Sequence, residues 1–232
     1  MADSRRLVQR FGRTERALHQ VHATAFILML ATGLILYAPP LSRIFADRPV
    51  IKGIHLVVAV AWVTALLIVI VVGDRKQLGA TRRQLERFDD EDTLFLKRKR
   101  LREPRPGRFN GGQKLHAAIQ AGIFVLAYVS GTLLWLAEHN TAFRLGGTIA
   151  VHDFCTLLGL VLLLGHVYKT IGAQGSLDGI VRGTVTESYA QHHHPRWEAP
   201  APRLTVARVQ LGALLAGVAI AGAGVALAIL TV

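Results

Sequence analysis

Apolar residues in this chain are gathered into blocks, not spread in the periodic stripes of a water-soluble protein. Five blocks approach or exceed the roughly 20 helical residues needed to cross a hydrocarbon core: residues 21–37, 53–73, 115–137, 147–170 and 206–230. Each must be helical, because a chain in lipid has to satisfy its backbone N–H and C=O groups within the segment. Pro39 and Pro40 end the first block sharply. A basic stretch precedes that block and no small-residue cleavage site follows it, so it is expected to stay as a span and not be removed as a signal peptide. The pattern predicts an all-α integral membrane bundle. Four core transmembrane helices with their loops fill residues 1–203, and a fifth, C-terminal transmembrane helix fills residues 204–232.

Composition agrees: 51% of the 232 residues are hydrophobic, and the mean hydropathy is +0.37. The formal charge of +12 would suit a nucleic-acid partner, but its placement points elsewhere. Arg5, Arg6, Arg10, Arg13 and Arg16 precede the first block, and Lys and Arg crowd the connection from Arg75 to Lys114. The connections after the first and third blocks carry only Arg43, Arg48 and Lys52, and Arg144. Such alternation is the positive-inside pattern. It places the N-terminus in the cytoplasm and, after five spans, the C-terminus on the outer side. No nucleic-acid partner is expected; the partner of the basic charge is membrane lipid.

Cys155, the one cysteine, lies within the fourth block, which excludes a disulfide framework and a thiolate cluster. Phosphate-cradling and hydrolytic motifs are absent from the sequence. Residues 82–109 mix charges with a few apolar positions and suit either a short amphipathic surface helix ending near Pro104 and Pro106 or a solvated charged loop. The run Gly175-Ser176-Leu177-Asp178 suits a helix cap, with Asp178 near a helix N-terminus.

Histidine placement carries the chemistry. His19 and His22 lie at the inner start of the first span and His55 at the outer start of the second. His116 begins the third and His139 follows it; His152 and His166 bracket the fourth. The last two are 14 residues apart, close to four turns, so both leave one helix face, separated by about 21 Å of rise. His55 matches His152 in depth, and His19 or His22 matches His166. Two bis-histidine pairs on facing helices are what two haems b in a helical bundle require. Gly33, Gly122, Gly131, Gly159 and Gly165 offer room beside a flat macrocycle or serve helix packing. The rival reading is a haem-free anchor or transporter whose histidines decorate the interfaces. A transporter more often presents a buried carboxylate, whereas these spans hold little beyond Asp153 and the interfacial Glu138.

The stretches TERALH (14–19), GRFNGGQK (107–114) and GSLDGIVRGTVTESYAQHHHPRW (175–197), with His55, His152 and His166, resemble the cytochrome b membrane subunit, gamma, of respiratory formate dehydrogenases. The resemblance spans residues 10–197. It implies an outer haem b ligated by His55 and His152 and an inner one by His19 and His166, with His22 the alternative to His19. It implies a quinone, menaquinone or ubiquinone, beside the inner haem near Asn110, Gly111, Gly112, Gln113 and Lys114. Amides there can hydrogen-bond a quinone carbonyl and Lys114 can help deliver protons, although the same Asn-Gly-Gly-Gln run also reads as a turn into the third span.

Implied partners are an iron–sulfur beta subunit and a molybdenum- or tungsten-bearing alpha subunit that oxidises formate, in a bacterial inner membrane; a higher oligomer of the complex is compatible with this. Electrons would reach the quinone from the periplasmic side. Cytochrome b subunits of hydrogenases and of thiosulfate- or polysulfide-type reductases share the plan. The fifth block departs from the four-span family pattern and is expected to be a peripheral packing or partner-contact helix.

Overall fold

The protein is described here by a computed structural model covering residues 6–44, 47–97, 103–198, 200 and 210–231. The expected domain boundary at 203–204, the first residues of the fifth block and the Arg98–Arg102 basic run lie outside the described residues. The elements, in chain order, are β1 (Leu7–Gln9), α1 (Arg13–Tyr37), α2 (Pro39–Ile44), α3 (Arg48–Val72), α4 (Arg75–Glu86) and α5 (Asp90–Lys97). They continue with α6 (Gly111–His139), a single 3₁₀ turn (Thr141–Phe143), α7 (Thr148–Ile171), α8 (Gln174–Arg182), β2 (Thr184–Thr186), α9 (Glu187–His193) and α10 (Leu211–Thr231).

Helices α1, α3, α6, α7 and α10 are the five long, apolar ones. The shortest, 21 residues, is about 31 Å long, enough for a hydrocarbon core. Only 6% to 11% of their apolar stretches is buried within the chain, so the greasy side chains face outward, toward lipid. This is an all-α integral membrane protein, with five spans among the described residues. Its helices outrun the apolar blocks at their ends because polar residues outside the hydrocarbon can continue a helix: α1 starts at Arg13, two turns before the first block.

By internal packing the chain divides into two units. One holds the described residues of 1–19, 69–119 and 166–210; the other holds 20–68, 120–165 and 211–231.

The first unit is built on a small antiparallel ribbon, β1 with β2, paired Leu7 to Thr186. Val8, Val185 and Ala190 form its core, with Tyr189 and Trp197 against them. Gly183 links α8 to β2 at φ 90°, where a side chain would be strained and would meet the Phe11 carbonyl at 2.8 Å. Helix α8 corrects the sequence expectation at its start. It begins at Gln174 behind Ala173, with no side-chain cap. The Ser176 N–H bonds the Ala173 carbonyl at 2.8 Å, so the 175–178 run lies inside the helix and not at its cap. Asp178 instead pairs with Arg182 one turn later, 3.4 Å away.

Two regular helices, α4 and α5, stand in the segment that the sequence leaves open to one amphipathic helix or a charged loop. Asp74 caps α4, accepting the Gln77 N–H at 3.0 Å. Asp89 and Asp92 cap α5 reciprocally, each accepting the other's N–H at 3.0 Å.

Buried charge ties this unit together. Glu15 takes Arg108 Nη2 at 2.7 Å and the Gly12 N–H at 2.7 Å, and also accepts from the Thr81 hydroxyl. Lys114 Nζ meets Asp92 Oδ2 at 2.5 Å and the Arg87 carbonyl at 2.8 Å. His194 is buried and donates from Nδ1 to the Gly107 carbonyl at 2.7 Å. Burial, reinforced by the Arg10 cation, holds its pKa down at about 4, so the ring is neutral.

In the second unit, His22, Phe26, Trp62 and Phe124 pack ring on ring, with His22 and Trp62 centred 5.1 Å apart. Gly159 lets α7 close on Phe26, and Gly224 lets α10 close on Thr64 of α3. Lys52 and Glu138 pair at the surface at 2.5 Å.

Candidate functional site

The sequence-selected histidines meet in pairs. In the second unit, His55 of α3 and His152 of α7 have ring centres 6.3 Å apart, inclined 75°. In the first unit, His19 of α1 and His166 of α7 have ring centres 6.3 Å apart, inclined 43°. Two imidazoles bound on opposite sides of one metal at about 2 Å per bond, each ring centre roughly 1.2 Å behind its nitrogen, would stand about 6.4 Å apart. Both pairs have that spacing.

The other histidines differ. His22 packs in the aromatic cluster of the second unit. His116 lies flat on His166 at 5.1 Å and 14°, a stacked arrangement too close for a shared metal between the rings. His139 rests on Trp135 and bonds the Trp135 carbonyl from Nδ1 at 3.0 Å.

Each ring of the His55–His152 pair is held by its Nδ1. Thr32 Oγ1 lies 2.7 Å from His55 Nδ1, and Ser130 Oγ lies 3.0 Å from His152 Nδ1. The Ala127 carbonyl lies 3.1 Å from the same His152 nitrogen. A metal-bound imidazole ordinarily donates its other N–H to such a group, which fixes the tautomer and the ring plane. In the other pair, His19 Nδ1 is buried with no partner among the described residues.

Glycine supplies space at two of the five candidate positions. A methyl at Gly131 would sit 3.0 Å from His152 Cε1, and one at Gly33 would sit 3.5 Å from His55 Cε1. Gly159 instead faces Phe26 and Ile123, while Gly122 and Gly165 face open space. Gly131→Ala is therefore expected to push the His152 ring by a few tenths of an ångström. It should lower haem content or shift the α-band, whereas Gly33→Ala should leave both unchanged; haem per chain and the reduced absorption spectrum of the two variants check this. The donor set, its spacing and its Nδ1 anchoring fit haem.

The segment singled out for quinone forms the start of α6. Asn110 and Gln113 cap it reciprocally: the Gln113 N–H donates to Asn110 Oδ1 at 2.9 Å and the Asn110 N–H donates to Gln113 Oε1 at 3.0 Å. Capping engages the amide oxygens and leaves the amide N–H groups as donors. A Cβ at Gly111 would collide with Asp92 backbone atoms, and one at Gly112 would press on Phe95, so these glycines admit α5. Lys114 is held by Asp92. Six residues beyond Asn110, His116 stacks on His166, which brings this helix start to the His19–His166 pair.

Sequence reasoning did not find Thr32, Ser130, Asp92 or the Glu15–Arg108 pair. The two hydroxyls carry no distinguishing signal, because Thr64, Thr132 and Thr156 also lie in spans. Asp92 is one of several acids in a charged loop.

The sequence pattern defining the prokaryotic cytochrome b561 family matches residues 10–183. The chain belongs to this family. Membership makes it a transmembrane cytochrome b with haem b as its cofactor and electron transport as its task. It is 32% identical over 94 residues to the cytochrome b556(fdo) subunit of formate dehydrogenase from Escherichia coli (strain K12), covering 39% of this chain and 44% of that one. With the cytochrome b556(Fdn) subunit of the nitrate-inducible formate dehydrogenase of the same strain, identity is 24% over 196 residues, 79% of this chain and 86% of that one. The cytochrome b556 subunit of formate dehydrogenase from Haemophilus influenzae is 32% identical over 94 residues, 39% and 40% of the two chains. The match thus spans less than half the length of the b556(fdo) relative. The names of these cytochromes agree with the formate dehydrogenase resemblance carried by the sequence motifs.

Proposed function

We propose that the chain is the membrane-anchoring diheme cytochrome b subunit of a formate dehydrogenase complex. It would take electrons from an iron–sulfur subunit at the periplasmic face and deliver them to menaquinone or ubiquinone near the cytoplasmic side of a bacterial inner membrane. His55 and His152 hold the outer haem b; His19 and His166 hold the inner one. The observation that carries this reading is the pair of histidine couples, each with ring centres 6.3 Å apart, in a member of a cytochrome b family.

Haem b, when bound, supplies a one-electron carrier. The four imidazoles orient it, and the apolar spans keep water from it. Asn110 and Gln113 offer amide N–H donors to a quinone carbonyl. Lys114, beside them, holds a proton at Nζ that can pass to the reduced quinone oxygen. Formate chemistry belongs to a molybdenum or tungsten partner chain, and assembly into a higher oligomer would repeat this arrangement. In this reading residues 204–232 are an addition to a four-helix core, and α10 packs on α3 through Gly224 and turns its other faces to lipid or a partner.

A second reading, the cytochrome b subunit of a hydrogenase or a thiosulfate-type reductase, rests on the match to the prokaryotic cytochrome b561 family, whose description names no formate dehydrogenase. Isolation of the tagged chain under oxygen-free conditions separates them. The formate reading expects iron–sulfur and molybdenum or tungsten chains to come with it, and added formate to reduce its b-type α-band. A band that answers to hydrogen or is oxidised by thiosulfate, and ignores formate, would overturn it.

A further inference from the structure

Thr32 and Ser130 are buried hydroxyls in apolar spans, and each does two things. Thr32 Oγ1 lies 2.8 Å from the Leu28 carbonyl and 2.7 Å from His55 Nδ1. Ser130 Oγ lies 2.6 Å from the Leu126 carbonyl and 3.0 Å from His152 Nδ1. A hydroxyl has one proton to give. Given to the carbonyl, which only accepts, it leaves the oxygen as an acceptor for an imidazole N–H. In that arrangement Nδ1 of each ring carries the proton and Nε2 presents its lone pair, as an imidazole that binds iron through Nε2 requires. The Ala127 carbonyl, 3.1 Å from His152 Nδ1 and also only an acceptor, imposes the same tautomer independently.

The consequence reaches past orientation. An imidazole donating from Nδ1 gathers negative charge on Nε2 and becomes a stronger ligand, and the chain from ring to hydroxyl to carbonyl polarises link by link. A stronger imidazole donor stabilises the more positive, oxidised iron and lowers its reduction potential; hydrogen bonding around the ligands is one of the protein's levers on haem potential. No such chain serves His19, whose Nδ1 is buried without a partner among the described residues.

We infer that Thr32 and Ser130 set the potential of the haem held by His55 and His152 below that of the haem held by His19 and His166. Electrons entering at the first site then run downhill to the second. The inference rests on the diheme reading above and supplies the driving force for its direction of flow.

The test is a potentiometric titration of the purified, haem-loaded full chain, following the α-band of the parent, Thr32→Val, Ser130→Ala, the double variant and Thr32→Ser. Thr32→Val and Ser130→Ala should each raise the lower of the two midpoint potentials, and the double variant should raise it further. The higher potential should stay in place, and Thr32→Ser should keep the parent value. Ser130→Ala should move the potential less than Thr32→Val, because Ala127 still holds His152 Nδ1. Should Thr32→Val shed its haem, Ser130→Ala decides alone: an upward shift supports the inference and an unmoved potential overturns it. Movement of the higher potential instead would also overturn it. Two haems with unmoved potentials remove this inference only, whereas a parent without two haems removes the diheme reading itself.

Discussion

Replacing His166 with alanine should cut the haem content of the purified chain from two per polypeptide to one and abolish quinone reduction, while the remaining haem still takes up electrons. His166 supplies one side of the His19–His166 couple, whose centres stand 6.3 Å apart. With it gone, His19 has no opposite partner at that spacing. His116 cannot substitute from its present place, because it lies flat on the His166 ring and not across a gap from His19. His19→Ala should give the same loss. His116→Ala should retain both haems, as should His22→Ala, since His22 is packed among Phe26, Trp62 and Phe124. Haem assay against protein concentration reads all four variants. Loss of a haem in His22→Ala with retention in His19→Ala would reverse the assignment in α1.

Asp92→Ala should destabilise the unit around the start of α6 by roughly 3–5 kcal/mol, the usual cost of removing one partner from a buried ion pair. Asp92 is 1% exposed and Lys114 8%, so neither charge has water to fall back on. Asp92 Oδ2 also accepts the Asp89 N–H, so the substitution removes that half of the α5 cap as well, while Asp89 Oδ1 keeps the N–H of residue 92. Lys114 would keep the Arg87 carbonyl and the Phe88 ring near its ammonium and the longer-range attraction of Asp89, but would lose its paired carboxylate. Thermal unfolding in detergent measures the loss. Asp92→Ala with Lys114→Met should recover part of it, because the stranded charge goes too; a double variant no more stable than Asp92→Ala would show that capping and packing, not the charge, dominate.

The spans were legible because lipid makes one demand of the sequence, about 20 apolar residues in a helix. The histidine couples were legible from the same cause: in spans of fixed length, position along the chain gives depth. Helix ends were less so. Arg13 to Gln20 continue α1 beyond its apolar block because Glu15 is buried against Arg108, 93 residues away in sequence, and nothing local announces that pairing. The β1–β2 ribbon has three residues per strand, too few to show alternation. The Asn110–Gln113 run was open to two readings, a turn or a quinone contact; its oxygens cap α6 while its amide donors remain. Thr32 and Ser130 became visible only once α1 was seen beside α3, and α6 beside α7.

Two haems held by His19, His55, His152 and His166 are the core of the proposed function. The most direct measurement is the haem b content of the purified full chain, by pyridine haemochrome against protein mass, with a reduced-minus-oxidised spectrum. Two haems per chain and a b-type α-band are the predicted result; one haem per chain would contradict the pairing, and no b-type band would contradict the account as a whole.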